Sequence, residues 1–431
     1  MSLFVPTGSE DLKIRLVQAN NKLAQEVLMR KTLILILTLL ISISLLGCWS
    51  RVELNDVAIV TGTAIDLAED DKLQLSLQIL KVKMTKGISE KGGASDSATL
   101  VVSETGETIL DAYHLLQKKL SRVVIFSHNR VVIVGDKFAR SGITPALEFF
   151  SRHREARGSN FLLTTQGKAK DLLMTPPNFE IFTAEEIREE EKALLMESAT
   201  VRDFIFRLLE QGIEPLSTQV QVVPLNGLDS SQSQNDSSGF GMVGVGIFNN
   251  DKLIGWMKRR DAETLLWIKG KVKNTAITVT MPDEKAPKER ISGKISAQLY
   301  KAKTNIKPKI QGDNISFEIN VHITGEIFEN STKLNFTEVQ SLNKVQHALE
   351  QEIEKRVTST VEKLKKQYKS DVIGLGILLH RANKKVWNEK YSKQWQEEFP
   401  KVEIQTKAHF KIVGTGRVND SMFWDEKKLD K

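Results

Sequence analysis

Between Met29 and Cys48 the chain carries a pattern that a water-exposed fold rarely uses. Arg30 and Lys31 precede an almost unbroken apolar run over residues 33–46, and Gly47-Cys48 follows it. Cations first, an apolar stretch second and a small residue third is the layout of a secretory signal. The run is about 14 residues, short of the roughly 20 that a helix needs to span a hydrocarbon core. The layout therefore predicts export, with the folded body beginning after it.

The ending Leu45-Leu46-Gly47-Cys48 resembles the lipobox of bacterial lipoproteins, with Leu46 where a smaller side chain is usual. That resemblance implies a diacylglyceryl group on the Cys48 thiol, cleavage before Cys48, and retention on the outer leaflet. The alternative is a Gly-Cys at the end of an uncleaved anchor helix. Residues 1–28 carry mixed charge and weak helical periodicity, which no signal n-region has. The expected start is thus Met29, with 1–28 an upstream extension outside the mature fold and 29–47 the signal peptide.

Cys48 is the one cysteine of 431 residues, which excludes an internal disulfide and any cysteine-based metal site. Charged residues are 27% and apolar residues 40%, ordinary for a globular chain. The length after Cys48 suits two or three domains. A net charge of +7 would suit an anionic lipid surface. The cations read as spread among acids, without aromatics between them, so nucleic acid is not an expected partner.

The first half mixes strands and helices. Strands are expected over 57–66 and 73–79 as a hairpin turning at Asp70-Asp71, and over 130–135, 160–165 and 218–225. Helices are expected over 107–121, from a cap at Asp136 to about 150, over 184–197 and over 200–211. This argues α+β with mixed or antiparallel sheets and no long parallel sheet. Residues 226–238 are small and polar, the composition of a linker. They divide the body into modules over 48–225 and 239–425.

Gly239-Phe240-Gly241-Met242-Val243-Gly244 matches G-x-G-x-x-G, but a dinucleotide site needs that pattern between a strand and a helix. Here a linker precedes it and a strand-like stretch follows, so a glycine-rich hairpin is expected. Further strands are expected over 276–281, 291–300, 315–328 and 402–413. Asn335-Phe336-Thr337-Glu338 has capping-box spacing. It opens a long helix to about 369, striped by Val339, Leu342, Val345, Leu349, Ile353, Val357, Val361, Leu364 and Tyr368. That helix would lie over its own antiparallel sheet or meet a partner helix. A second helix is expected over 371–388.

No reaction centre is visible. The seven histidines show no helical metal spacing, and no G-x-S-x-G, S-x-x-K or P-loop occurs. Residues 152–157, Arg-His-Arg-Glu-Ala-Arg, form the densest polar cluster, suited to ion pairs at a helix end, a subunit contact or an anionic ligand. Glu189-Glu190-Glu191 reads as a solvated helix face. Trp256 and Trp267 read as core or interface residues.

Several stretches together resemble one family. They are Gly47-Cys48-Trp49-Ser50-Arg51-Val52-Glu53-Leu54-Asn55-Asp56, Phe126-Ser127-His128-Asn129-Arg130 running to Gly135, and Phe149-Phe150-Ser151-Arg152-His153-Arg154-Glu155-Ala156-Arg157. To these add Ala169-Lys170-Asp171-Leu172-Leu173, Leu265-Leu266-Trp267-Ile268-Lys269-Gly270-Lys271-Val272 and Asp371-Val372-Ile373-Gly374-Leu375-Gly376. The combination is similar to the Ger(x)C family, the C subunits of spore germinant receptors, over nearly the whole chain from Cys48. Ser50 stands where an acid is common, and His153 where Asp is. The resemblance implies a mixed α/β, three-domain, non-enzymatic lipoprotein on the outer face of the spore inner membrane. It would need no cofactor and would work with integral-membrane A and B subunits in nutrient-triggered germination. Of site residues it carries over Cys48 alone, for lipid attachment. A solute-binding lipoprotein that holds a small molecule between lobes, and an exported hydrolase, are the competing readings.

Overall fold

The computed structural model describes residues 9–44, 53–81, 97–193, 196–225, 238–272, 275–281, 293–312 and 314–416. Cys48 and nearly all of the 226–238 linker lie outside them. The chain forms two units, Met1–Asp56 and Val57–Lys431.

The first unit is built on helix α1 (Ser9–Ser44), which runs unbroken through Met29. Backbone conformation thus does not separate the expected extension from the expected signal. Hydroxyls just before and inside the apolar run bond back one turn, Thr32 to the Leu28 carbonyl at 2.6 Å and Ser42 to that of Thr38 at 2.8 Å. Such bonds let Ser and Thr sit in a helix without seeking water. No described helix is long and apolar enough to cross a membrane.

The second unit begins with β1 (Val57–Leu67) and β2 (Leu73–Leu80), the expected hairpin. Asp70 and Asp71 turn it with φ of 59° and 57°, a region that Asp tolerates. The elements β3 (Thr99–Gly106), α2 (Ile109–Lys119), β4 (Val123–Ile125) and β5 (Val131–Gly135) follow. Next come α3 (Asp136–Ser141), α4 (Thr144–Arg152), β6 (Phe161–Thr165), α5 (Ala169–Met174), α6 (Thr183–Lys192) and α7 (Val201–Leu209). The strands β7 (Leu216–Pro224), β8 (Ser238–Asn249) and β9 (Lys252–Lys258) complete a sheet ordered β3-β2-β1-β5-β6-β7-β8-β9, with β4 beside β1.

The sheet is mixed, as expected, but its centre is not. β1, β5, β6 and β7 pair in parallel, each joined to the next by a crossover carrying helices. Such a centre is covered on both faces, and β5 reads as five buried residues. The hairpins that suggested an antiparallel sheet sit only at its flanks. β7 pairs with β8 across residues 225–237, so the first two strands of the C-terminal half extend this sheet. Gly239 to Gly244 lie within β8, a strand leading to the expected hairpin rather than a phosphate loop.

Helix α8 (Arg259–Ile268) leads to a second sheet ordered β10 (Thr275–Met281), β11 (Gly293–Gln311), β12 (Asn314–Asn330) and β13 (Glu403–Gly414). The first three are antiparallel, and β13 runs parallel to β12. Helix α9 (Val339–Lys363) buries Val345, Leu349, Ile353, Val357 and Val361 in the core shared with this sheet. The striped helix thus lies over its own sheet, although Val339 is exposed. That core is continuous from Ile133 and Leu163 of the first sheet, through Trp267, to Phe317 and Phe410 of the second.

Three local expectations fail for identifiable reasons. Asp136 occupies the first helical turn; Gly135 is the N-cap, and Gly142 at φ +121° splits the expected helix into α3 and α4. Asn335 accepts from Thr337 N at 2.8 Å in its own turn, so Glu338 becomes the N-cap of α9. The helix expected over 371–388 starts later, as α10 (Leu375–Ala382), because Asp371 and Gly374 form its lead-in turn and Gly374 takes φ +89°.

Candidate functional site

Most family-like stretches converge on buried polar hubs, and three of these centre on carboxylates. Asp66, at the end of β1, accepts from Ala169 N at 2.7 Å and Lys170 N at 3.0 Å. A carboxylate from one strand thus caps α5, some hundred residues downstream. Burial raises the Asp66 carboxyl above its ordinary range, opposed by those two backbone bonds. Gly135 is required here, because a Cβ at that position would stand 2.0 Å from Asp66 Oδ1.

The stretch from Phe126 to Gly135 is likewise spent on internal contacts. Asn129 Oδ1 accepts from Thr63 Oγ1 at 3.2 Å, and Arg130 faces Glu185 at 2.9 Å. Phe126 N donates to Glu155 Oε2 at 3.0 Å, and the His153 ring packs 4.9 Å from that of Phe126. Arg152 pairs with Glu148 one turn back, so the 152–157 cluster does make an ion pair at a helix end.

Glu197 is the most charged hub. Its Oε1 meets Arg207 Nη2 at 2.7 Å, Lys269 Nζ at 3.2 Å and Lys271 Nζ at 3.3 Å. Burial alone would raise this carboxyl, but Lys269, Arg207 and Lys271 together draw it down to about 2. Lys269 is itself lowered to about 8 by burial, against the pull of Glu197. The two shifts agree physically, because one carboxylate serves three cations. Glu191 lies near by and accepts from Thr218 Oγ1, its carboxyl raised by burial to about 7. This corrects the reading of residues 189–191 as solvated: Glu191 is 3% exposed. Its helix position faces the sheet, one turn beyond Ile187.

Asp371 is the third carboxylate. It accepts from Gly374 N at 2.8 Å, Gly376 N at 2.9 Å and Trp395 Nε1 at 3.0 Å. Burial raises its carboxyl against these bonds. Gly376 is pressed against Gly212, where an added Cβ would lie 2.5 Å from the Gly212 Cα. The glycine pattern of that stretch therefore reflects close backbone approach.

Trp267 is fully buried with the Arg356 guanidinium 5.5 Å from its ring centroid, and Trp256 is half-buried with Nε1 3.3 Å from Asp136 Oδ1. His322 and His409 stack across β12 and β13 with centroids 4.7 Å apart, a pairing that linear spacing could not reveal. Among the described residues no group of three potential metal ligands forms. No hydrogen bond or ion pair among them joins the Asp66, Glu197 and Asp371 hubs to one another. The arrangement can hold segments together.

Residues 50–222 match the family described as spore germination protein N-terminal domain. Residues 243–416 match spore germination B3/GerAC like, C-terminal. YfkR of Bacillus subtilis (strain 168) is 30% identical over 379 residues, 87% of this chain and 95% of that protein. Spore germination protein KC of the same organism is 26% identical over 91% of this chain and 98% of its own length. The crystal structure of the GerBC protein superposes with a TM-score of 0.50 at 21% identity, covering 82% of this chain and 97% of that one. That likeness concerns the fold.

Proposed function

This chain belongs to the Ger(x)C, or GerAC-like, family of spore germination proteins, and from that premise we propose that it is the lipid-anchored, non-catalytic C subunit of a nutrient germinant receptor. Integral-membrane A and B subunits are its partners, and the outer face of the spore inner membrane is its place. Cys48 carries the diacylglyceryl anchor. Two acyl chains hold a protein stably where one holds it marginally. A tether of that kind raises the effective concentration of the folded body beside its membrane partners. Residues 48–225 and 239–425 act as two sequence modules joined by 226–238, although β8 and β9 are built into the first sheet.

The observation that carries the non-catalytic reading is the fate of the carboxylates that the family-like stretches contain or meet. Asp66, Glu197 and Asp371 are buried and occupied by internal partners rather than turned into a shared cavity. The apolar core that runs between the sheets likewise disfavours a solute-binding cleft between lobes.

Replacing Cys48→Ala in the native host tests the reading. The folded body should persist while membrane retention and the germination response both fall. Unchanged fractionation and unchanged germination would refute it.

A further inference from the structure

The second sheet has one covered face and one open face, and the open face collects lysine. On β11 the outward positions include Lys301, Lys303, Lys307 and Lys309, all exposed. Across β12, the outward positions of β13 add Lys407 and Lys411. The registers Lys303↔His322 and His322↔His409 place these rows side by side on the same face. Glu318 sits between them, 2.7 Å from Lys309 and 3.7 Å from Lys407. The Lys309 hydrogen bond, helped by Asn320 and Lys407, holds that carboxyl down to about 2. Among the described residues Lys301, Lys303, Lys307 and Lys411 have no ion-pair partner. Linear sequence makes the cations look dispersed, but strand pairing gathers them.

We infer that this lysine-bearing sheet face rests on the headgroups of an anionic lipid bilayer. The inference rests on the membrane-tethered reading above, since a tether brings the face within reach of the surface. Charge complementarity chooses the occupant: parallel rows of lysines on a broad sheet match a plane of phosphates. Readers of nucleic-acid bases instead interleave cations with stacking aromatics; here the two histidines stack on each other, Tyr300 is held by Glu326, and the exposed Phe328 lies near the end of β12, beyond the lysine rows. Attraction of lysine to such a surface fades within a Debye length, about 10 Å at 0.1 M salt.

The test uses the full chain carrying Cys48→Ala, which leaves no other cysteine. A fluorophore is placed through Asn305→Cys on the open face, or through Glu354→Cys on the outer side of α9. Each protein is mixed with vesicles of phosphatidylglycerol or phosphatidylcholine that contain a headgroup quencher. The expected result is quenching at position 305 on phosphatidylglycerol alone, weak quenching at 354, and loss of the signal at 0.5 M salt. Adding Lys303→Glu, Lys307→Glu and Lys407→Glu should lower partition onto phosphatidylglycerol, read as quenching at 305 over a lipid titration, by about a hundredfold or more, since each lysine contributes about fivefold. Equal quenching at both positions, equal quenching on both lipids, or a response at 305 to duplex DNA but not to phosphatidylglycerol would overturn the inference. Because every arm lacks the thiol, failure here leaves the acyl anchor untouched, and an unacylated native Cys48 leaves this result standing.

Discussion

In the first sheet β5 shows five buried residues in a row, whereas β12 in the second alternates buried and outward positions along much of its length. The difference sets what each sheet can do. A strand covered on both faces has little water to meet its polar groups, and Asp66, Gln78, Glu191 and Glu197 find partners inside the protein. A strand covered on one face keeps the other for solvent or a partner. The prediction is a separation of effects: changes around the first sheet alter stability, and changes on the open face of the second alter binding.

The sharpest way to break that comparison is Glu197→Ala. It would leave Lys269 and Arg207 buried without their carboxylate, and breaking a buried pair by removing one partner costs about 3–5 kcal/mol. Denaturant unfolding should show a loss of that size, and a loss under about 1 kcal/mol would mean that the hub is effectively solvated.

Next comes the pH dependence of folding. Glu191 is held near 7 against an ordinary 4.5, so between those values the folded state keeps a proton that the unfolded state releases. Its contribution is complete below pH 4.5 and is lost as pH rises through 7, on the order of 3 kcal/mol for a shift of that size. Glu197 acts in the opposite window: its contribution is present above pH 4.5 and is lost as pH falls towards 2. Burial also raises Glu190 to about 7, so Glu191→Gln should reduce the upper slope without abolishing it and leave the lower one, as read from unfolding midpoints at a series of pH values.

Gly135→Ala is smaller. The new methyl would collide with Asp66 Oδ1 and disturb the cap of α5, with a cost of about 1–3 kcal/mol, as for overpacking elsewhere. A thermal midpoint equal to that of the unaltered chain would show that Asp66 can swing away freely. Smallest of all, Lys303→Glu with Lys307→Glu should change unfolding free energy by no more than about 0.5 kcal/mol per site, because exposed positions rarely matter to stability. A larger loss would erase the contrast between the sheets.

Much of the fold was legible because its signals are local. The alternation Phe317, Ile319, Val321, Ile323 identifies β12, and the steps of four from Val345 to Val361 identify α9. The family-like stretches also located the segments that build the hubs. What they could not supply was partners. Strand periodicity does not say that β1 pairs in parallel with β5, and no spacing rule joins Asp66 to the amide of Ala169 or Lys269 to Glu197. Glu191 was hidden in an acidic run, because composition does not show which side of α6 meets the sheet. The lysines of β11 did carry a signal, a spacing of two at 301–303 and 307–309 within a strand. A count of net charge passes over it.

Mass spectrometry of the protein from its native host tests the proposed tether most directly. The prediction is a mature chain that begins at Cys48 with a diacylglyceryl group on its sulfur. A chain that retains residues 29–47 and bears a free Cys48 thiol would contradict it.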